Sequence, residues 1–159
     1  MLVVVSLAVF AATTAHADAR ICFPKGTPIV AREHLDIRAK SLTTIELFAS
    51  SAYRVQTRKV DDPKSLSIFA GCVLATTTNK VKAATKGVPW KKKTVGVCDA
   101  MTMYRTKYWV EAKLVWTAEL CGPEELDEES TKRIAEIWRA LDAEITPPAT
   151  APAKPPATR

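Results

Sequence analysis

Histidine supply decides most of the chemistry open to this chain. Only two histidines are present, His16 and His34, and His16 lies inside an apolar leader. His34 stands between Glu33 and Asp36. A Ser-His-Asp or Cys-His machine needs a histidine oriented by an acid. On a strand, adjacent side chains face opposite sides, so Glu33 cannot serve His34, whereas Asp36 shares its face; on a helix, Arg38 would do so instead. No G-x-S-x-G, H-E-x-x-H or Gly-rich phosphate loop accompanies these residues. A mechanism that uses two histidines is excluded once the leader is removed. Two catalytic readings survive: His34 as general acid or base of a secreted nuclease or glycan-cleaving hydrolase, and a two-carboxylate glycosidase built on Glu46 and Glu111. Nothing else in the sequence converges on His34, so a satisfied histidine is the preferred reading and the chain reads as a non-enzyme.

The cysteines are the second chemical resource. Cys22, Cys72, Cys98 and Cys121 are widely spaced, with no C-x-x-C and no neighbouring histidine. Structural zinc sites draw on closely spaced pairs, so no metal and no cofactor is expected. In an oxidising compartment an even set pairs, and four cysteines allow three connectivities that sequence does not distinguish.

The compartment is set by the start of the chain. Met1 to Ala17 carries no charged side chain and ends in Ala15-His16-Ala17, the small-x-small pattern of a cleavage site. The apolar run fits the h-region of a secretory signal and is shorter than the roughly 20 residues of a membrane span. It lacks the basic residues typical of the segment before an h-region. The expected protein is therefore secreted or periplasmic, with residues 1–17 a cleavable signal and no membrane span in the mature chain. Residues 18–145 form a single globular domain, and 146–159 a Pro/Ala-rich, polyproline-like disordered tail.

Charge is unevenly placed. The net charge is +6, and no acidic residue occurs between Pro63 and Cys98. That stretch carries Lys80, Lys82, Lys86, Lys91, Lys92 and Lys93, with Trp90 among them. It reads as a loop or ribbon between two strands with the aromatic at its tip. Lysines attract phosphates and carboxylates diffusely, and a tryptophan stacks on a base or sugar face. The counterweight is Glu124, Glu125, Asp127, Glu128 and Glu129. If these carboxylates pair with Lys91 to Lys93 inside one molecule, the basic site is masked.

The elements that must position these groups follow from periodicity. Thr27 to Lys40 reads as a helix capped by Thr27 with Pro28 at its first position, with an extended path close behind. Thr43 to Ala49 and Tyr53 to Arg58 alternate as half-buried strands. Leu66 to Thr76 is more continuously apolar and reads as a central strand around Cys72. Thr94 to Tyr104 alternates again. Tyr108 to Leu120 reads as one long strand, a helix being its competitor. Pro123 opens a final helix, whose first turns hold the acidic cluster and whose stripe is Leu126, Ile134, Ile137, Trp138, Leu141 and Ile145. The expected fold is α+β: a mainly antiparallel sheet of about five strands, disulfide-stabilised, with a C-terminal helix packed on it.

The resulting expectation is a small exported binding or accessory protein, contacting an anionic envelope polymer or acidic protein through the lysine-rich segment. The hydrolase using His34 is the first alternative. A structural subunit of an envelope complex is the second, because Trp109 falls on the polar side of an alternating strand, a sign of an interface.

Overall fold

The structure, a computed structural model, describes residues 22–96 and 101–145. The expected signal, Cys98 and the proline-rich tail lie outside them. The chain forms β1 (Val30–Asp36), β2 (Ser41–Leu47), β3 (Ala52–Lys59), β4 (Asp62–Cys72), α1 (Ala75–Thr85), β5 (Lys92–Thr94), β6 (Tyr104–Val110), β7 (Lys113–Glu119), β8 (Glu124–Leu126) and α2 (Glu128–Asp142). Six strands make one antiparallel sheet in the order β4-β3-β2-β1-β6-β7, and β5 pairs with β8 in a small second sheet. The mainly antiparallel sheet with a C-terminal helix is thus as expected, and Cys22–Cys72 is disulfide-bonded with the Cα atoms 5.7 Å apart.

One face of the sheet is the core face. Val30, Leu47 and Tyr53 line up across β1, β2 and β3, and Val110 continues the row on β6. Against them pack Val81 of α1 and Ile134, Ile137, Trp138 and Leu141 of α2. Burying each large apolar side chain contributes about 1.5–3 kcal/mol. Arg32, one step along β1 on the same face, sets its guanidinium 4.4 Å from the centre of the Trp138 ring. Its two terminal nitrogens also donate to the Asp142 carboxylate at 2.7 and 2.9 Å, tying sheet to helix. Alternation puts Ala31, Glu33, Thr44, Glu46 and Trp109 on the opposite face, away from both helices.

Several elements differ from the sequence reading. The segment after Pro28 is extended rather than helical, because β1 finds partners on both sides in β2 and β6. β4 is an edge strand, not a central one, and Ile68 is 58 % exposed. Its strand ends at Cys72, and the residues from Ala75 onward form a helix. The long strand over Tyr108 to Leu120 is a hairpin: Glu111 and Ala112 turn with φ of 48° and 63°, the double positive φ of a type I′ turn. A bulge beside Tyr108 and Trp109 shifts the register. The strand expected over Thr94 to Tyr104 is reduced to its two ends, in β5 and β6, with residues 97–100 outside the description. The last helix starts later than Pro123 implied, because Glu124–Leu126 extends as β8 against β5. Asp127 then caps α2, its carboxylate accepting from the Ser130 N–H at 2.8 Å.

Candidate functional site

The lysine-rich segment is not a ribbon. Lys80 and Lys82 stand on α1, Lys86 is its C-cap, and Lys92 and Lys93 lie in β5. Trp90 is half-buried against the core cluster rather than displayed at a tip. Antiparallel pairing of β5 with β8 sets Lys93 opposite Glu125 and brings Lys92 and Glu124 to the same short ladder. The outcome is two ion pairs, Lys92 to Glu124 at 3.0 Å and Lys93 to Glu125 at 3.2 Å. Both are exposed, so they contribute little to stability, but they neutralise the charge that a polyanion would seek.

The other lysines have a different fate. Among the described residues, no ion pair within 4.0 Å engages Lys80, Lys82, Lys86 or Lys91. Lys82 stands in the last turn of α1, and Lys86 follows four residues later at its C-cap. Lys82 reaches back to the Ala49 carbonyl at 3.4 Å. Lys86 and Lys91 line a shallow groove of about 210 Å³ with Asp127, Glu129 and Arg133. Lys80 borders a separate groove with Glu136. The structure therefore divides one sequence cluster into a spent pair in β5 and an unpaired group along α1 and the connection after it.

His34 lies on the helix-bearing side of β1. Its Nδ1 and the Thr106 Oγ1 are 2.8 Å apart across the β1–β6 ladder, where the two residues are direct partners. Its ring stacks with Tyr104, the centroids 6.0 Å apart at 24°. These residues and Trp116 line a cleft of about 480 Å³ that Glu119, Glu124, Glu125 and Thr131 also border. Trp116 stacks on Tyr108 at 5.4 Å, and its buried indole nitrogen has no hydrogen-bond partner. Asp36, which the sequence offers as the orienting acid, instead accepts from the Ala39 N–H at 2.8 Å and holds the β1–β2 turn. The cleft glutamates were not legible beside His34, because they arrive from the far end of the chain. Glu119 is bound to Arg105 at 2.8 Å, and Glu124 and Glu125 are held by the β5 lysines. Glu111, the other proposed glycosidase carboxylate, sits in the β6–β7 turn, and Glu46 lies on β2.

The remaining sequence candidates are the cysteines. Cys22 joins the N-terminal approach to the end of β4, and Cys121 is also disulfide-bonded. Among the described residues, no group of three or more His, Cys, Asp or Glu side chains gathers to hold a metal ion, and no helix is long and apolar enough to cross a membrane.

Fold and site together define a disulfide-bonded α+β domain with one helix-covered sheet face and a divided lysine cluster. Comparison with known proteins adds no relative: no family model, no curated protein and no solved structure matches the chain.

Proposed function

We propose that this is a small exported binding or accessory protein that acts through its surface rather than through a reaction, with an anionic polymer as its partner. The observation that carries the reading is that Lys82 in the last turn of α1, Lys86 at its C-cap and Lys91 beyond it make no ion pair among the described residues, while Lys92 and Lys93 are occupied by Glu124 and Glu125. Lysine clusters attract polyanions diffusely and in a salt-dependent way. The contact is thus assigned to α1 and its C-terminal flank, and the β5 lysines are assigned to the fold.

Retention on heparin and phosphocellulose columns tests this. The Lys82→Ala/Lys86→Ala/Lys91→Ala protein is expected to elute at clearly lower salt than wild type. The Lys92→Ala/Lys93→Ala protein, which loses cations but frees carboxylates, is the comparison. A triple variant that elutes with wild type would remove the proposal.

A second reading is favoured by one specific contact, the His34–Thr106 pair facing the cleft. A histidine within hydrogen-bond reach of a hydroxyl is the pairing that activates a nucleophile. Hydrolysis of nucleic acid and peptidoglycan by wild type, lost in both His34→Ala and Thr106→Val, would establish it. Equal activity in all three proteins would end it.

A further inference from the structure

The sheet face opposite α1 and α2 carries a hollow that neither the lysine group nor the cleft explains. Glu46, Ala31 and Trp109 lie in register straight across β2, β1 and β6, and Thr44, Glu33 and Lys107 form the next row on the same face. Ala31 is the small member of its row. Its methyl group floors a depression between the Trp109 ring on one side and the Glu46 side chain on the other. Pro28 and Ala112 also line it, and its volume is about 320 Å³.

The charges around the hollow cancel. Glu46 accepts from Arg54 at 2.6 Å, and Glu33 is 3.5 Å from Lys107. Each negative charge on the wall has a positive one beside it, so neither a cation nor an anion gains net Coulombic attraction there. Hydrogen-bonding capacity is nevertheless left over. A carboxylate offers about four acceptor sites on two oxygens, and a threonine hydroxyl both donates and accepts.

A neutral hollow with one aromatic wall, several acceptors and a shallow floor selects a ligand with hydroxyl donors on its edge and a flat C–H face for the indole. We propose that the Trp109 hollow binds one unit of a neutral saccharide. This site is on the other side of the sheet from α1, and its binding is independent of the lysines there.

Isothermal titration of the folded protein with three neutral probes, chitotetraose, maltotetraose and cellotetraose, tests the assignment. At least one is expected to bind saturably, with affinity unaffected by added salt. Trp109→Ala removes the wall and is expected to weaken that binding by about tenfold or more, equivalent to about 1.4 kcal/mol, as the loss of an aromatic anchor does. Ala31→Leu fills the floor without touching any charge and should abolish it, and circular dichroism confirms that each variant folds. Glu46→Gln, which keeps an acceptor, should weaken binding only a few-fold. No saturable binding of any probe by wild type would overturn the proposal, as would binding that survives both Trp109→Ala and Ala31→Leu. So would a finding that the same two substitutions instead abolish capture of an oligolysine peptide, or dissociate a dimer seen by size exclusion. Those results would make the hollow a cation site or a self-contact.

Discussion

Glu144, just past the end of α2, caps α1 from seventy residues away: its carboxylate accepts from the Leu74 N–H at 2.7 Å and from the Thr77 hydroxyl. α1 has no capping side chain of its own and no acidic residue in its first turn. The free N–H groups of a helix start need an acceptor, and the partial positive charge there favours an anion. Glu144→Ala is expected to lower global stability by about 1–2 kcal/mol. Glu144→Gln, which keeps an acceptor but not the charge, should fall between the two. Urea unfolding midpoints decide this, and an unchanged midpoint in Glu144→Ala would show the contact to be energetically idle.

A second prediction concerns Gly71. It is the direct partner of Tyr53 across the β3–β4 ladder, and a Cβ there would stand 2.6 Å from the tyrosine oxygen and 2.7 Å from Cζ. Tyr53 is only 5 % exposed and tilts against Phe69 with centroids 5.8 Å apart, so its ring has nowhere to move. Gly71→Ala should therefore destabilise by about 1–3 kcal/mol through overpacking, despite the better strand propensity of alanine. The Gly71→Ala/Tyr53→Leu pair should recover part of that loss. If the single variant unfolds at the wild-type midpoint, the ring is not held as described.

How much of this was readable beforehand varies by element, and the reasons are physical. β2, β3 and the α2 stripe obey strict periodicities, so Ile45, Leu47, Ile134, Ile137 and Leu141 announced their faces. α1 did not announce itself. Ala75-Thr-Thr-Thr-Asn-Lys-Val is rich in β-branched residues, which favour strands, and it buries Thr77, Thr78, Val81 and Thr85 rather than an apolar stripe. Its cap is Glu144, a contact invisible to local reading. The β6–β7 hairpin was hidden because Glu111-Ala112 lacks the Asn-Gly signature of a type I′ turn. The bulge next to it kept apolar residues falling on even numbers. At the site, the masking of Lys92 and Lys93 was legible as a condition, since the acidic cluster was visible. Which lysines it would take depended on the β5–β8 register, which no pattern in the chain reveals.

The Cys22–Cys72 bond closes a separation of 50 residues and anchors the approach to β1 onto the edge strand. In the chain-entropy picture, a loop of that length is worth about 4 kcal/mol, with measured values commonly lower. The Cys22→Ser/Cys72→Ser protein is expected to lose about 2–4 kcal/mol of stability to urea. β4 should also exchange its amide hydrogens faster than β1, because the edge loses its tether and β1 keeps two partner strands. Equal stability of the variant and oxidised wild type would count against a structural role for this bond.

The acid limb of stability should carry the signature of the α2 cap. Hydrogen bonds from Ser130, through its hydroxyl and its backbone N–H, hold the Asp127 carboxyl below the usual carboxylate range. A carboxyl whose value is depressed on folding stabilises the native state above its unfolded value, about pH 3.9. That stabilisation is lost as pH falls through the lower folded value. Asp61, held down chiefly by its hydrogen bond to Lys40, contributes in the same direction. Asparagine caps a helix as well as aspartate but does not titrate there. Asp127→Asn should therefore leave stability near neutral pH almost unchanged and lessen its decline on acidification, while Asp127→Ala lowers it at every pH. The Asp61→Asn protein separates the two contributions, since it flattens a different share of the same limb. Unfolding midpoints measured from neutral pH down to pH 3 or so read this directly, and an acid limb identical in wild type and Asp127→Asn would mean that the Ser130 bonds do not favour the charged cap.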